Sequence, residues 1–469
     1  MGDKLTKSAN GCVTMILVFW VCLWVPGYAL AKAQGPLMVG MGDSIGAGVQ
    51  SADANLWTQR FSYLKLIANQ MGARFPLPYV KSSKLGVVGD TIFRDRVYPG
   101  IPGLNLSVSG ADVRSLVNEW ADALDEDEID SEADLMLFPR IGSQLKIVER
   151  IAERNGPPIV ICWIGNNNVL SAALSFDELD ASQMTSVELF EYYFIAIAEK
   201  LGSLGGPVVF ANIPDVTRIG FLLDREDLIS FVGSDFGLAE GDYTSVVVML
   251  LIRLGLDDGR LLKDPDFVLD AGEVARIQER IEAFNGIIER EAGIIRAPVV
   301  DINALFDDAD ENPFTFFGIP VTPRFLGGIF SLDGVHPSNI AHAVIANAFI
   351  ETINFHFGME VPLISDKELE RIFLRDPFQD KDGDGRVRGR SGAGLLEALG
   401  PVLGISGDRR DWIPGASPAQ IDASAGQRFI RRLLKLQRED LGRASEWSKW
   451  DVIEVFRRIF RMNIQDWQE

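Results

Sequence analysis

Short apolar runs rich in Val and Ile alternate along this chain with longer stretches of helical period. No other feature constrains the fold as much. The runs are "LMVGM" (37–41), "LNLSV" (104–108), "IVICWI" (159–164), "VVFANI" (208–213) and "PVVDI" (298–302). Between them, segments such as "EVARIQERIEAFNGIIEREA" place Val274, Ile277, Ile281, Phe284 and Ile288 at three- and four-residue steps, one face of an amphipathic helix. Strand alternating with helix implies right-handed crossovers and a parallel sheet covered on both sides. The expected architecture is a three-layer α/β/α sandwich, followed by a small, mainly helical C-terminal region. With 469 residues the chain can bury a large core, and 47% hydrophobic against 24% charged residues fits a globular protein.

In such a sheet, functional groups collect where strands reach their carboxyl edge. Ser44 follows the first run, Ser109-Gly110-Ala111 the second, Gly165-Asn166-Asn167-Asn168 the third, and Pro214-Asp215-Val216-Thr217 the fourth. A serine hydroxyl is a weak nucleophile and needs a base, usually histidine, oriented by a carboxylate. The chain holds only three histidines. His336 stands three residues after Asp333 in "LDGVHPS", close enough for the carboxylate to meet the imidazole within one turn. His342 and His356 lie on the following helical stretch, where packing or surface placement is the plain expectation. The oxyanion of an acyl-transfer intermediate also needs donors. The candidates are the Ser44 amide, the Gly110 amide and the Asn167 side chain. "GDSIG" also satisfies G-x-S-x-G. That match is a coincidence of Gly46, because Ser44 follows the first strand of the mature chain.

These blocks resemble the SGNH (GDSL-type) hydrolases, serine esterases and lipases. Gly42-Asp43-Ser44 is similar to their first block, Gly110 to their oxyanion glycine, and Gly165-Asn166-Asn167 to G-x-N-D with Asn168 in place of Asp. Asp333-Gly334-Val335-His336 is similar to D-x-x-H. The resemblance implies an SGNH hydrolase domain over 34–365, flavodoxin-like in fold, that cleaves carboxylic esters of acyl or lipid type. Ser44 would be its nucleophile, His336 the base and Asp333 the orienting carboxylate, with Ser44, Gly110 and Asn167 forming the oxyanion hole. No cofactor is required for that chemistry. A carbohydrate acetylesterase would use the same triad. A reading from another class is an exported binding or attachment protein without catalysis.

Residues 1–33 have the layout of a secretory signal peptide. Lys4 and Lys7 precede an apolar run, and Ala29-Leu30-Ala31 and Ala31-Lys32-Ala33 offer cleavage sites. The expected location is therefore secreted or periplasmic. Cleavage would leave Cys162 alone, a small buried hydrophobe in "PIVICWIG". A net charge of −21 excludes nucleic acid as a partner, since phosphate would be repelled. "VVVMLLI" (246–252) reads as a buried element of the same domain in preference to a lid. In the region 366–469, Asp380, Asp382, Asp384 and Gly385 open a calcium-type loop over 380–391, although Ser391 stands where an EF-hand carries Glu. Structural calcium there is an expectation independent of catalysis. "RFIRRLLKLQRED" and "KWDVIEVFRRIFRMNIQDW" are basic amphipathic helices suited to an anionic membrane surface or to docking on the acidic domain.

Overall fold

A computed structural model of the chain describes residues 35–81, 95–175, 179, 181–253, 255–379, 381 and 387. Four parallel strands form the central sheet: β1 (Met38–Gly42), β2 (Ile159–Trp163), β3 (Val208–Ala211) and β4 (Val299–Val300), adjacent in that order. Every residue of the first three is buried, as expected of a parallel sheet covered on both faces. The helices used below are α1 (Ser44–Ala47), α2 (Tyr63–Gln70), α3 (Val113–Asn118), α4 (Gln144–Asn155), α5 (Asn167–Leu174), α6 (Val187–Gly202), α7 (Val246–Arg253), α8 (Ala271–Ile294), α9 (Ile302–Glu311), α10 (Asn339–Phe357) and α11 (Asp366–Arg375).

Register shows how the three layers form. Cys162 pairs with Phe210, so those two side chains share one face of the sheet and Trp163 points to the other. On its face Trp163 meets Tyr63 of α2 edge-on at 5.5 Å and lies 6.4 Å from Phe349 of α10. On the opposite face Phe210 lies 5.3 Å from Phe194 of α6. Phe190 of the same helix stacks at 3.9 Å on Phe284 of α8. Such aromatic pairs add about 0.5–1.5 kcal/mol each beyond the area they bury. α8 begins at Asp270, whose side chain caps Glu273 N while Glu273 reaches back, a reciprocal capping box.

The run 104–108, expected as a strand, is not a regular one. It lies beside β1, with Leu106 N and Val108 N donating to Gly40 O and Gly42 O. Leu104 O, Leu106 N and Val108 N pair with β1, while the buried Asn105 side chain donates to Gly46 O at 2.7 Å and accepts Ser107 N at 3.1 Å, an amide that does not pair with β1. "VVVMLLI" forms α7, buried except for Ile252, and a small antiparallel sheet (Leu222–Leu223, Tyr243–Ser245, Val268–Leu269) flanks it in sequence. The boundary expected near Asp366 falls at the start of α11. This helix and the turn after it pack against the domain, with Phe373 stacked on Phe316 at 5.2 Å. The segment expected to be a signal peptide (1–33) and the basic stretches expected to be amphipathic helices (from residue 428 on) lie outside the described residues.

Candidate active site

At the end of β1 the chain makes a sharp turn that two distant side chains hold. Gly42 has φ +149°, and a Cβ there would lie 2.2 Å from the Trp163 carbonyl oxygen, so the position excludes any side chain. Gln144 grips its backbone from both sides: Gly42 N donates to Gln144 Oε1 at 3.0 Å, and Gln144 Nε2 donates to Gly42 O at 2.9 Å. Asp43 then caps α1, accepting Ile45 N at 2.9 Å and Asn166 Nδ2 at 2.8 Å. Burial pushes its carboxyl up to about 6, against the pull of these hydrogen bonds. Ser44 follows as the first residue of α1, nearly buried.

The histidine reaches it from a loop at the far end of the domain. His336 Nε2 stands 2.9 Å from Ser44 Oγ, and His336 Nδ1 stands 2.7 Å from Asp333 Oδ2. Asp333 Oδ2 also accepts Ala52 N at 2.8 Å. Its Oδ1 accepts Val335 N and His336 N at 2.9 Å, and the Ser331 hydroxyl at 3.1 Å. Burial alone would raise this carboxyl, but the His336 charge and the donors from His336 and Val335 outweigh it and hold Asp333 below its ordinary range. An ionised Asp333 can only accept, which assigns the proton to Nδ1 and leaves Nε2 of the neutral ring to accept from the Ser44 hydroxyl. Ser51 and Ala52, both at positive φ (51° and 58°), present their amides to Ser331 Oγ and Asp333 Oδ2. Such backbone costs of order 1–3 kcal/mol per residue, and here these amides close on the histidine loop.

Of the predicted oxyanion residues, Ser44 follows β1, while Gly110 and Asn167 follow the segments on either side of it, which are fastened together. Gly110 has φ +81°, a conformation suited to glycine. Asn167, at the start of α5, donates one Nδ2 hydrogen to Ala111 O at 2.8 Å. A primary amide has two such hydrogens, so this bond orients the second without consuming it. Asn168 accepts Val113 N at 3.3 Å, donates to Thr185 Oγ1 at 2.9 Å, and lies 3.5 Å from Asp112 Oδ2. Its amide therefore takes both a donor and two acceptors.

The family model for GDSL-like Lipase/Acylhydrolase matches residues 38–349. The chain belongs to that family. No curated protein matches the sequence. Among solved structures, it is similar to LAE5, an α/β hydrolase enzyme from the metagenome of Lake Arreo, Spain. That match has 14% identity and a TM-score of 0.33, covering 68% of this chain and 95% of the other. Axe2, an acetylxylan esterase from Geobacillus stearothermophilus, aligns at 15% identity and TM-score 0.33, over 70% and 96% of the two chains. A lipase/acylhydrolase from Enterococcus faecalis aligns at 13% identity and TM-score 0.32, over 70% and 98%.

The other two histidines of this GDSL-like acylhydrolase make their hydrogen bonds elsewhere. His342 is fully buried, accepts Tyr63 N through Nδ1 at 3.3 Å, and is pushed down to about 3 by burial and then by the His336 charge. It packs as a neutral ring. His356 is exposed, with Nε2 3.1 Å from Arg296 O. Cys162 is a free, buried thiol whose ionisation burial pushes far up, so it is inert. Asp380, Asp382 and Asp384 lie outside the described residues. Among the described residues, no group of three or more His, Cys, Asp or Glu could hold a metal ion, and no helix is long and apolar enough to cross a membrane.

Proposed function

We propose that this acylhydrolase is an exported serine esterase that cleaves carboxylic esters of acyl or lipid type through an acyl-enzyme. The reading rests on one observation, the hydrogen-bonded chain from Ser44 Oγ through His336 to Asp333. Ser44 Oγ attacks the ester carbonyl carbon while His336 Nε2 takes the hydroxyl proton. The imidazolium so formed faces the Asp333 carboxylate, which the His336 charge and the donors from His336 and Val335 keep ionised. Negative charge moves to the carbonyl oxygen, where the Ser44 and Gly110 amides and the second Asn167 hydrogen stabilise it. The C–O bond to the alcohol then breaks, and His336 returns its proton to the leaving oxygen. A water molecule, deprotonated by the same nitrogen, attacks the acyl-enzyme and releases the acid. Export follows from the signal-peptide layout of residues 1–33, and secreted or periplasmic placement is part of the proposal.

The test is turnover of p-nitrophenyl esters together with labelling by a fluorophosphonate probe. Ser44→Ala is expected to lower kcat by roughly 10⁴-fold or more and to abolish labelling, and His336→Ala to suppress both. Undiminished hydrolysis by Ser44→Ala sinks the assignment. Comparing acetyl with octanoyl esters reads the acyl preference.

A further inference from the structure

The family match ends at residue 349, yet the residues after α11 are among the most deeply buried in the molecule. Asp376, Phe378 and Gln379 are 0%, 1% and 2% exposed. They close on the loop that carries Asp333 and His336. That loop is built as a narrow hairpin: Ser331 N donates to His336 O, and Ser338 N donates to Ile329 O, both at 2.8 Å. Its base is Gly328, whose carbonyl accepts the Ser338 hydroxyl at 2.6 Å and Gln379 Nε2 at 2.7 Å. Gly328 has φ +101°, and a Cβ there would lie 2.4 Å from Gln379 Oε1, so the glutamine closes directly on the glycine. Asp376 Oδ2 accepts Ile340 N at 2.9 Å, an amide in the first turn of α10 that no intrahelical carbonyl can reach. Its other oxygen accepts Phe378 N at 3.0 Å, which fixes the turn itself.

We propose that Asp376–Gln379 is a positioning clamp for the histidine loop, so that the segment beyond the family domain belongs to the catalytic unit. The inference rests on the esterase reading for its kinetic consequence but not for its geometry. The clamp holds both ends of the piece of chain between Gly328 and Ile340. Within that piece, Asp333 and His336 must keep a hydrogen-bonded line to Ser44, on a strand end 292 residues away. A buried donor removed at Gly328 leaves that carbonyl with Ser338 alone and frees the base of the hairpin to shift. Misplacement of a general base by less than an ångström is enough to slow the chemistry with little effect on substrate binding.

The experiment compares the full-length protein with Gln379→Met, which fills the same space without donating, and with Gln379→Ala. Ile288→Val in the core of α8 serves as a distant variant of lowered stability. On a p-nitrophenyl ester the Gln379 variants are expected to lose about tenfold in kcat with KM unchanged within about twofold, while Ile288→Val keeps its kcat. Hydrogen exchange by mass spectrometry is measured on the same proteins. The amides of Ser331, Gly334 and Ser338 are expected to exchange about tenfold faster in Gln379→Met, with those of α8 unmoved. Unchanged exchange in the loop overturns the clamp whatever the activity. Faster exchange with full kcat overturns its positioning role. A wild-type protein without hydrolysis or labelling overturns the esterase reading alone, and loop exchange then decides the clamp by itself.

Discussion

Asn168 is where the chain departs from the G-x-N-D pattern it resembles, and its surroundings explain the amide. Its Nδ2 faces Thr185 Oγ1 and lies 3.5 Å from Asp112 Oδ2, while its Oδ1 accepts Val113 N. A carboxylate at 168 would keep the Val113 bond but set two negative oxygens against each other in a site only 1% exposed. Asn168→Asp is therefore expected to lose about 1–3 kcal/mol at pH 7, most of it recovered in Asn168→Asp with Asp112→Asn. Urea unfolding of the single and double variants measures this, and a single variant as stable as wild type would show that Asp112 does not select the amide. That Ser44, Asp333 and His336 come together was legible in the sequence, because short motifs carry them and histidines are scarce. Gln144 and Asn166 were not. Each fixes the Ser44 turn from more than 100 residues away; Gln144 has no local pattern that marks it, and Asn166 stands at the unspecified position of the G-x-N block.

Elements were legible to the extent that periodicity governed them. The α8 pattern ran through a capping box to a helix of 24 residues, and β1, β2 and β3 fell on their apolar runs. The run 104–108 does lie along β1 as its apolar composition implied, but that composition says nothing about where the buried Asn105 sends its side chain. At the β1 end the decisive contact is backbone against backbone, so it too is invisible to composition. Gly42 stands opposite Trp163 in the parallel register, with its Cα turned toward that residue's carbonyl oxygen. A methyl at 2.2 Å cannot be relieved by a rotamer change, since both partners are main chain. Gly42→Ala is expected to cost more than about 3 kcal/mol or to prevent folding. By contrast, Gly72→Ala, where no atom lies within 4 Å, should cost about 1 kcal/mol from its positive φ alone. Thermal unfolding of the two variants separates them, and equal losses would refute the strand-contact argument.

At the scale of the molecule, buried titratable groups shifted in opposite directions set how stability responds to acid pH. Asp43 beneath the nucleophile and Asp376 in the clamp are both fully buried, and burial pushes each carboxyl up to about 6 from 3.8. Between those values the folded chain holds a proton that the unfolded chain has released. Stability from these two groups is therefore greatest below pH 3.8 and declines as pH rises through 6, by up to about 3 kcal/mol each. His342 acts in the opposite sense. Its folded value is pushed down to about 3 from 6.5, so its contribution is complete above pH 6.5 and is lost as pH falls toward 3. Asp333, held below its ordinary range, contributes above 3.8 and is lost only at more acid pH. In the window from pH 4 to 6.5 the two carboxylates and the histidine thus oppose each other, whereas below it Asp333 and His342 weaken the fold together. Replacing both raised carboxylates by Asn removes one side of that opposition while keeping an acceptor for Ile45 N and for Ile340 N. The stability of Asp43→Asn with Asp376→Asn, measured by urea unfolding, is expected to gain on wild type steadily from pH 4 to pH 6.5 and to run parallel to it above. A difference between the two proteins that stays constant across this window would mean that neither carboxyl titrates there. Stability near neutral pH would then rest on packing and hydrogen bonds alone.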